Sequence, residues 1–228
     1  MPEDNPGRRL DAVPSSLREL GLRVFYDEPG AELARLVLIP ALSIATRYDR
    51  VSAYFSVRSL VSIAAGLEAL YSKRGTMRLL MGLHDVDHEI VEAASLTQHD
   101  QLMAGFRARI LDGVSTLRGE LERNRVQTVA WMMRDGLLEM KAVTPRIEGG
   151  LHGIFHNKRL MFVDRNGEMV TATGSVNETA AGLGGNFEEL TVHTSWGSPE
   201  YTKAHASRFE AVWEGQDERL ATLPIDPG

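Results

Sequence analysis

Between residues 22 and 83 the apolar pattern switches back and forth between strand and helix periods, and few folds accept that. Leu22 to Tyr26 reads as a short strand. Ala31 to Arg47 carries Leu33, Leu36, Val37 and Ile44 at helical spacing, and Pro40 should bend or divide this helix. Arg50 to Phe55 is the next strand. Ser56 to Arg74 is a second helix: Ser56 stands at its cap, Leu60, Ile63, Ala64, Leu67 and Leu70 line one face, and Gly75 ends it. Met77 to Leu83 is a third strand. Such alternation argues for parallel strands joined by helical crossovers. The expected fold class is α/β, a mixed β-sheet flanked by helices on both faces.

The rest of the chain sorts around this layer. With 228 residues, 43% of them hydrophobic, it can bury one sizeable core. We expect a flexible arm at 1–14, a single domain at 15–215, and a polar tail at 216–228 that could begin a linker to a further domain. Residues 84–136 read as a helical insertion. Leu102, Phe106, Ile110, Val114, Leu117 and Leu121 form one stripe. A break is expected at Asn124-Arg125, and Val126, Val129, Ala130 and Met133 form a second stripe. Leu137 to Thr144 is a strand. Ser198 to Gly215 is the last helix, with Ser198 as cap, Pro199 at its first position, and Tyr201, Ala204, Phe209, Val212 and Trp213 inward.

Composition excludes several classes. The chain has no cysteine, so disulfides and thiolate metal sites are ruled out, and a cytoplasmic location is expected. No apolar run approaches spanning length, and MPEDNPGRRLD lacks a signal peptide's apolar segment, so no membrane association is expected. A net charge of −6 leaves room only for a local nucleic-acid-binding patch. The cluster His84, Asp85, Asp87, His88 reads as an acidic helix start in preference to a metal cage.

The chemistry concentrates in residues 152–193. Phe155 to Val163 reads as a buried strand, on which His156 and Lys158, two apart, share a face. Asp164-Arg165-Asn166-Gly167 is a hairpin signal. Glu168 to Thr173 returns as a strand and ends at Gly174, where Ser175 and Asn177 again sit two apart. A Gly-rich loop (Gly182, Gly184, Gly185) leads to Asn186, Glu188 and a third strand, Leu190 to Thr194. The hairpin should bring Ser175 and Asn177 beside the His/Lys pair. His serves as nucleophile or general acid/base, Lys as an anion-binding point charge, and Ser and Asn as neutral hydrogen-bonding groups. Together they suit a phosphoryl group held by donors while His attacks phosphorus. A carboxylate such as Glu188 could fix the imidazole tautomer.

The pattern His156-Asn157-Lys158 followed by Gly174-Ser175-Val176-Asn177 resembles the phospholipase D superfamily, whose signature is HxK, an Asp, then GSxN. Glu188, thirteen residues after Ser175, stands where the family's compact single-motif nucleases carry a His-orienting Glu. Asp164 falls one residue later than the family's Asp, so the family role is not carried over to it; the hairpin turn is the other place for it, and its role is left open. Residues 50–56 and 77–82 resemble the front half of the domain found before helicase modules in bacterial proteins. The resemblance implies metal-independent phosphodiester cleavage without a cofactor, DNA being the favoured substrate. His156 would be the nucleophile. Lys158 and Asn177, supported by Ser175, would hold the phosphate, and Glu188 would orient His156. It also implies that two motifs make one site; since residues 1–228 hold one, a homodimer is expected. The alternatives are a phospholipase or phosphatidyltransferase with the same site, or a non-catalytic dimerisation or nucleic-acid-docking module of a larger helicase-type protein.

Overall fold

In the computed structural model, residues 14–55, 57–82, 120–146, 154–177, 179 and 181–225 are described, and all structural statements concern these. They form an eight-stranded mixed sheet: β1 (Phe25–Pro29), β2 (Arg47–Ser52), β3 (Thr76–Gly82), β4 (Leu138–Pro145), β5 (Arg159–Val163), β6 (Met169–Gly174), β7 (Phe187–Thr194) and β8 (Leu220–Ile225). The spatial order is β1-β7-β6-β5-β2-β3-β4-β8. β2 and β3 run parallel, as the strand-helix alternation over residues 22–83 predicts, and β4 extends the parallel run; every other neighbouring pair is antiparallel, and β1, the first strand of that alternation, lies at the sheet edge against β7 and not beside β2.

One face of the sheet is covered by the crossover helices. These are α1 (Gly30–Leu33), a π turn (Ala34–Leu38), α2 (Ile39–Ile44), α3 (Val57–Ser62), α4 (Ala64–Ser72) and α5 (Glu120–Arg134). Pro40 sits in the first turn of α2, directly after the π turn, so the proline is accommodated by a widened turn where its missing N–H does least harm. Leu33, Val37, Leu60, Ile63, Leu67 and Leu70 are buried there against Tyr48, Leu79 and Phe162. The Tyr48 and Phe162 rings stack at 4.8 Å. The other face carries α6 (Pro199–Trp213), whose Phe209, Val212 and Trp213 pack on Val51, Leu80, Val143 and Met161. Arg78 of β3 pins this helix. It makes paired bonds to Asp49 (2.7 and 2.9 Å) and to Glu210 (3.0 and 2.7 Å), and its guanidinium lies over the Phe209 and Trp213 rings. Helices on both faces are therefore present.

Several boundaries differ from expectation. β1 starts at Phe25, and β5 starts at Arg159, so His156 and Lys158 occupy the extended segment entering the strand. The helix expected at 56–74 is interrupted at Ile63. α5 runs unbroken through Asn124-Arg125, because neither residue is a helix breaker when its neighbours stay helical. In α6, Tyr201 and Ala204 are exposed and Thr202 takes the buried position; the helical face is rotated towards Phe209 and Trp213. Ser198 makes no side-chain cap, its hydroxyl lying 3.4 Å from His193 Nδ1. The expected tail at 216–228 instead supplies β8, an edge strand on β4. The expected arm lies outside the described residues, except Pro14. So do most of the 84–136 insertion, up to residue 119, and its His84–His88 cluster.

Candidate active site

Sheet order decides what meets what. β7, β6, β5 and β2 are neighbours, and four chain segments meet at one end of them. β5 is entered through His156–Lys158, β6 leaves through Gly174–Asn177, β7 begins just before Glu188, and β2 ends towards Tyr54. The register fixes this, with Val51 opposite Arg159, Arg159 opposite Thr173, and Gly174 opposite Leu190. The five residues singled out from the sequence are thus gathered at one place.

The contacts are specific. Lys158 Nζ lies 2.9 Å from His156 Nε2 and 3.3 Å from Nδ1. An ammonium can only donate, so the imidazole accepts through a ring nitrogen. Ser175 Oγ donates to Glu188 Oε2 and accepts from the Glu189 N–H at 3.0 Å. Glu188 is buried, and its Oε1 accepts from Asn186 Nδ2 at 3.1 Å. Asn177 Oδ1 accepts from the Tyr54 N–H at 3.3 Å, leaving Nδ2 as the donor end of that amide. The Tyr54 ring stands edge-on to His156 at 6.0 Å and 80°. Val176, between Ser175 and Asn177, is fully buried in the core, which turns its two polar neighbours the other way.

Close backbone approaches hold this arrangement. A Cβ on Gly174 would stand 1.8 Å from the Glu189 carbonyl oxygen, and one on Gly182 would stand 2.6 Å from the Asn177 carbonyl oxygen. The first glycine lets β6 and β7 close beside Ser175, and the second lets the Gly-rich loop pack under Asn177. Arg50, fully buried in β2, donates from Nη2 to the Val176 carbonyl at 2.8 Å. Burial pulls the Lys158 ammonium below its ordinary pKa; Glu188 opposes that shift and Arg50 adds to it.

Asp164 is not part of this constellation. It sits at the opposite end of β5, six residues beyond Lys158 and so roughly 20 Å away at strand rise. Its buried carboxylate accepts backbone N–H groups from Leu17 (3.0 Å), Asn166 (2.8 Å) and Glu168 (3.1 Å). It closes the hairpin and ties down the short turn at Leu17–Leu20. A cleft of about 280 Å³ lined by Arg18, Arg23, His193 and Trp196 lies at the far end of β7, also away from the site. Among the described residues no group of three His, Asp or Glu side chains is placed to hold a metal ion.

Three contributors escaped the sequence reading of roles. Arg50 could have been noticed as a charge inside a central strand, which needs a buried partner. Tyr54 acts through its backbone N–H, which no side-chain pattern reveals. Asn186 sits two residues before Glu188, on the same side of an extended chain, and that spacing was visible.

The eight-stranded mixed sheet with helices on both faces is a phospholipase D-like α/β fold. The structure is similar to NucT from Helicobacter pylori, with a TM-score of 0.50 and 13% identity, over 83% of this chain and 94% of that one. Other similar structures are Nuc from Salmonella typhimurium, a phospholipase D family member, and phosphatidylserine synthase from Haemophilus influenzae Rd KW20. For Nuc the TM-score is 0.42 at 15% identity over 79% and 86% of the two chains. For the synthase it is 0.48 at 10% identity over 88% and 39%. No family model matches the sequence, and no curated protein does.

Proposed function

We propose that the protein is a phosphodiesterase that cleaves DNA through a covalent phosphohistidine, in a site completed by a second copy of the chain. The observation that carries this reading is the Lys158–His156 pair set beside Ser175, Asn177 and Glu188. Lys158 and the Asn177 amide bind nonbridging phosphate oxygens. Drawing Lys158 Nζ onto a phosphate frees the imidazole nitrogen it covers. That nitrogen attacks phosphorus, an N–P bond forms, and the P–O bond to the leaving strand breaks. The leaving oxygen needs a proton, which His156 of the second copy supplies before activating the water that hydrolyses the intermediate. Glu188 keeps Ser175 in place and would orient the imidazole in the assembled site.

The shared site is supported by the presence of a single HxK in residues 1–228. His156 is exposed at the sheet end, among the exposed side chains of Tyr54, Ile154 and Phe187. A two-fold axis there brings the second His156 by symmetry. We assign the protein to the cytoplasm from its lack of cysteine. No helix among the described residues is long and apolar enough to cross a membrane.

The test uses mixed dimers. Tagged wild type is co-expressed with His156→Ala, and the heterodimer is isolated and assayed on plasmid and oligonucleotide DNA in excess chelator. A shared site predicts near-complete loss of cleavage. Retention of about half the wild-type rate would mean that each chain carries a whole site, against the symmetry argument.

A further inference from the structure

One aromatic side chain is held beside the nucleophile and outside the core. Where β2 ends, the chain runs Ser52-Ala53-Tyr54-Phe55. Ala53 is fully buried and Phe55 packs against the larger hydrophobic cluster, whereas Tyr54 between them is 40% exposed. The Tyr54 backbone is fixed on both sides. Its N–H donates to Asn177 Oδ1 at 3.3 Å, and its C=O accepts from Ser52 Oγ at 2.6 Å. The ring centroid lies 6.0 Å from that of His156, with the two planes at 80°. Single exposed aromatics are common on protein surfaces. This one is distinguished by its place: next to the group that attacks phosphorus, on a backbone tied to the amide that binds the phosphate.

We propose that Tyr54 is a base-stacking residue: its ring receives the base of an unpaired nucleotide adjoining the scissile phosphate. The inference rests on the phosphodiesterase reading above and narrows its substrate. In a nucleotide chain each base stands one sugar away from its phosphate, a span comparable with that between the Tyr54 and His156 rings. The acyl chains of a phospholipid offer no planar face to such a ring, so it favours nucleic acid as the diester. Stacking is tolerant of sequence, because every base has a π-face. It is not tolerant of pairing: a base inside a duplex is already stacked on both sides and must leave that stack first. Two hydrogen bonds on the Tyr54 backbone hold the ring in place before substrate arrives, so little ordering is left to do on binding. In the shared site, a second Tyr54 stands on the other side of the same phosphate by symmetry. Both nucleotides joined by the scissile phosphate then meet a ring.

The experiment sets the ring against the base. The substrates are oligothymidylate and a chain of tetrahydrofuran abasic spacers of the same length, which keeps every phosphate and removes every base. Cleavage of each is measured with wild type, Tyr54→Ala and Tyr54→Phe of the whole chain. Wild type should prefer oligothymidylate by roughly 5- to 150-fold in kcat/KM, the range that base–aromatic stacking supplies. In Tyr54→Ala that preference should fall below about twofold, and Tyr54→Phe should keep it. Annealing oligothymidylate to its complement should slow wild type by a larger factor than Tyr54→Ala. The proposal is overturned if wild type treats the two chains alike, if Tyr54→Ala slows both by the same factor, or if Tyr54→Phe loses the preference as Tyr54→Ala does. Binding of the two labelled chains, followed by fluorescence anisotropy in a His156→Ala background, separates this inference from the cleavage reading. If wild type cleaves neither chain but His156→Ala binds oligothymidylate more tightly, and loses that preference when Tyr54→Ala is added, stacking stands and cleavage fails. If the binding preference is absent or survives Tyr54→Ala, stacking fails whatever the cleavage result.

Discussion

Asp164→Ala separates turn chemistry from catalysis. The carboxylate accepts three backbone N–H groups, from Leu17, Asn166 and Glu168. Hydrogen bonds to a charged group contribute ~1.5–3 kcal/mol each when lost from a buried site. The three share one carboxylate, and the freed N–H groups in the open turn can bind water, so simple addition overstates the loss. We expect ~3–5 kcal/mol of destabilisation, a large fraction of a domain's total. At this chain length that corresponds to a fall of roughly 6–20 °C in Tm. Asp164→Asn keeps one carbonyl oxygen for the turn and loses the bond to Leu17, so it should cost less, about 1–2 kcal/mol. Urea denaturation followed by circular dichroism measures both variants. Cleavage assayed well below the lowered midpoint reads the site separately, and there Asp164→Ala should approach the wild-type rate. If Asp164→Ala unfolds at the wild-type midpoint, or if the folded variant has lost more than about tenfold in kcat/KM, the assignment of Asp164 to the turn is wrong.

Three further expectations follow from the same geometry. Lys158 must be protonated to hold phosphate, and burial lowers its pKa, so the alkaline limb of kcat/KM should fall below pH 10.5. Glu188→Gln removes the charge that opposes this shift and should move that limb further down in the pH–rate profile. Gly182→Ala places a methyl group against the Asn177 carbonyl, so cleavage should fall by a larger factor than the change in Tm implies; unchanged kinetics would contradict the packing role. His205 is held at about 4 in the fold against 6.5 when unfolded. Between those values the unfolded chain binds more protons, so stability should rise with pH from about 4 to about 6.5 and be lost as pH falls. After allowance for solvent screening the change is at most about 2 kcal/mol. It should flatten in His205→Phe when denaturation is followed in phosphate-free buffer.

What the sequence made legible follows from where local rules act. The parallel pair β2 and β3 was readable because the crossover helix between them repeats apolar residues at a period no strand can imitate. His156, Lys158, Ser175 and Asn177 were readable because a hairpin is a local object and places residues two apart on one side. β8 was not, since Leu220–Ile225 is short, carries Pro224, and gains its strand identity only from β4. The buried or exposed fate of Tyr201 was also invisible. Tyr201 leaves the apolar core to stack on His193, a contact between residues of different elements. The role of Arg50 depends on the Val176 carbonyl, 126 residues away in sequence, and no window of local pattern spans that distance.

The position of β8 has a consequence for how the chain matures. β4 carries Met140, Ala142 and Val143 in a strand whose outer edge is paired only by the last strand described. During synthesis, β4 emerges about eighty residues before its partner, and through that interval its edge has free N–H and C=O groups beside apolar side chains. Such an edge invites pairing with a second nascent chain. Completion by β8 also substitutes a poorer template, because Pro224, opposite Lys141, removes a donor from the new rim. A stop codon just after α6 would keep every residue of the candidate site and still yield a chain prone to aggregate during synthesis.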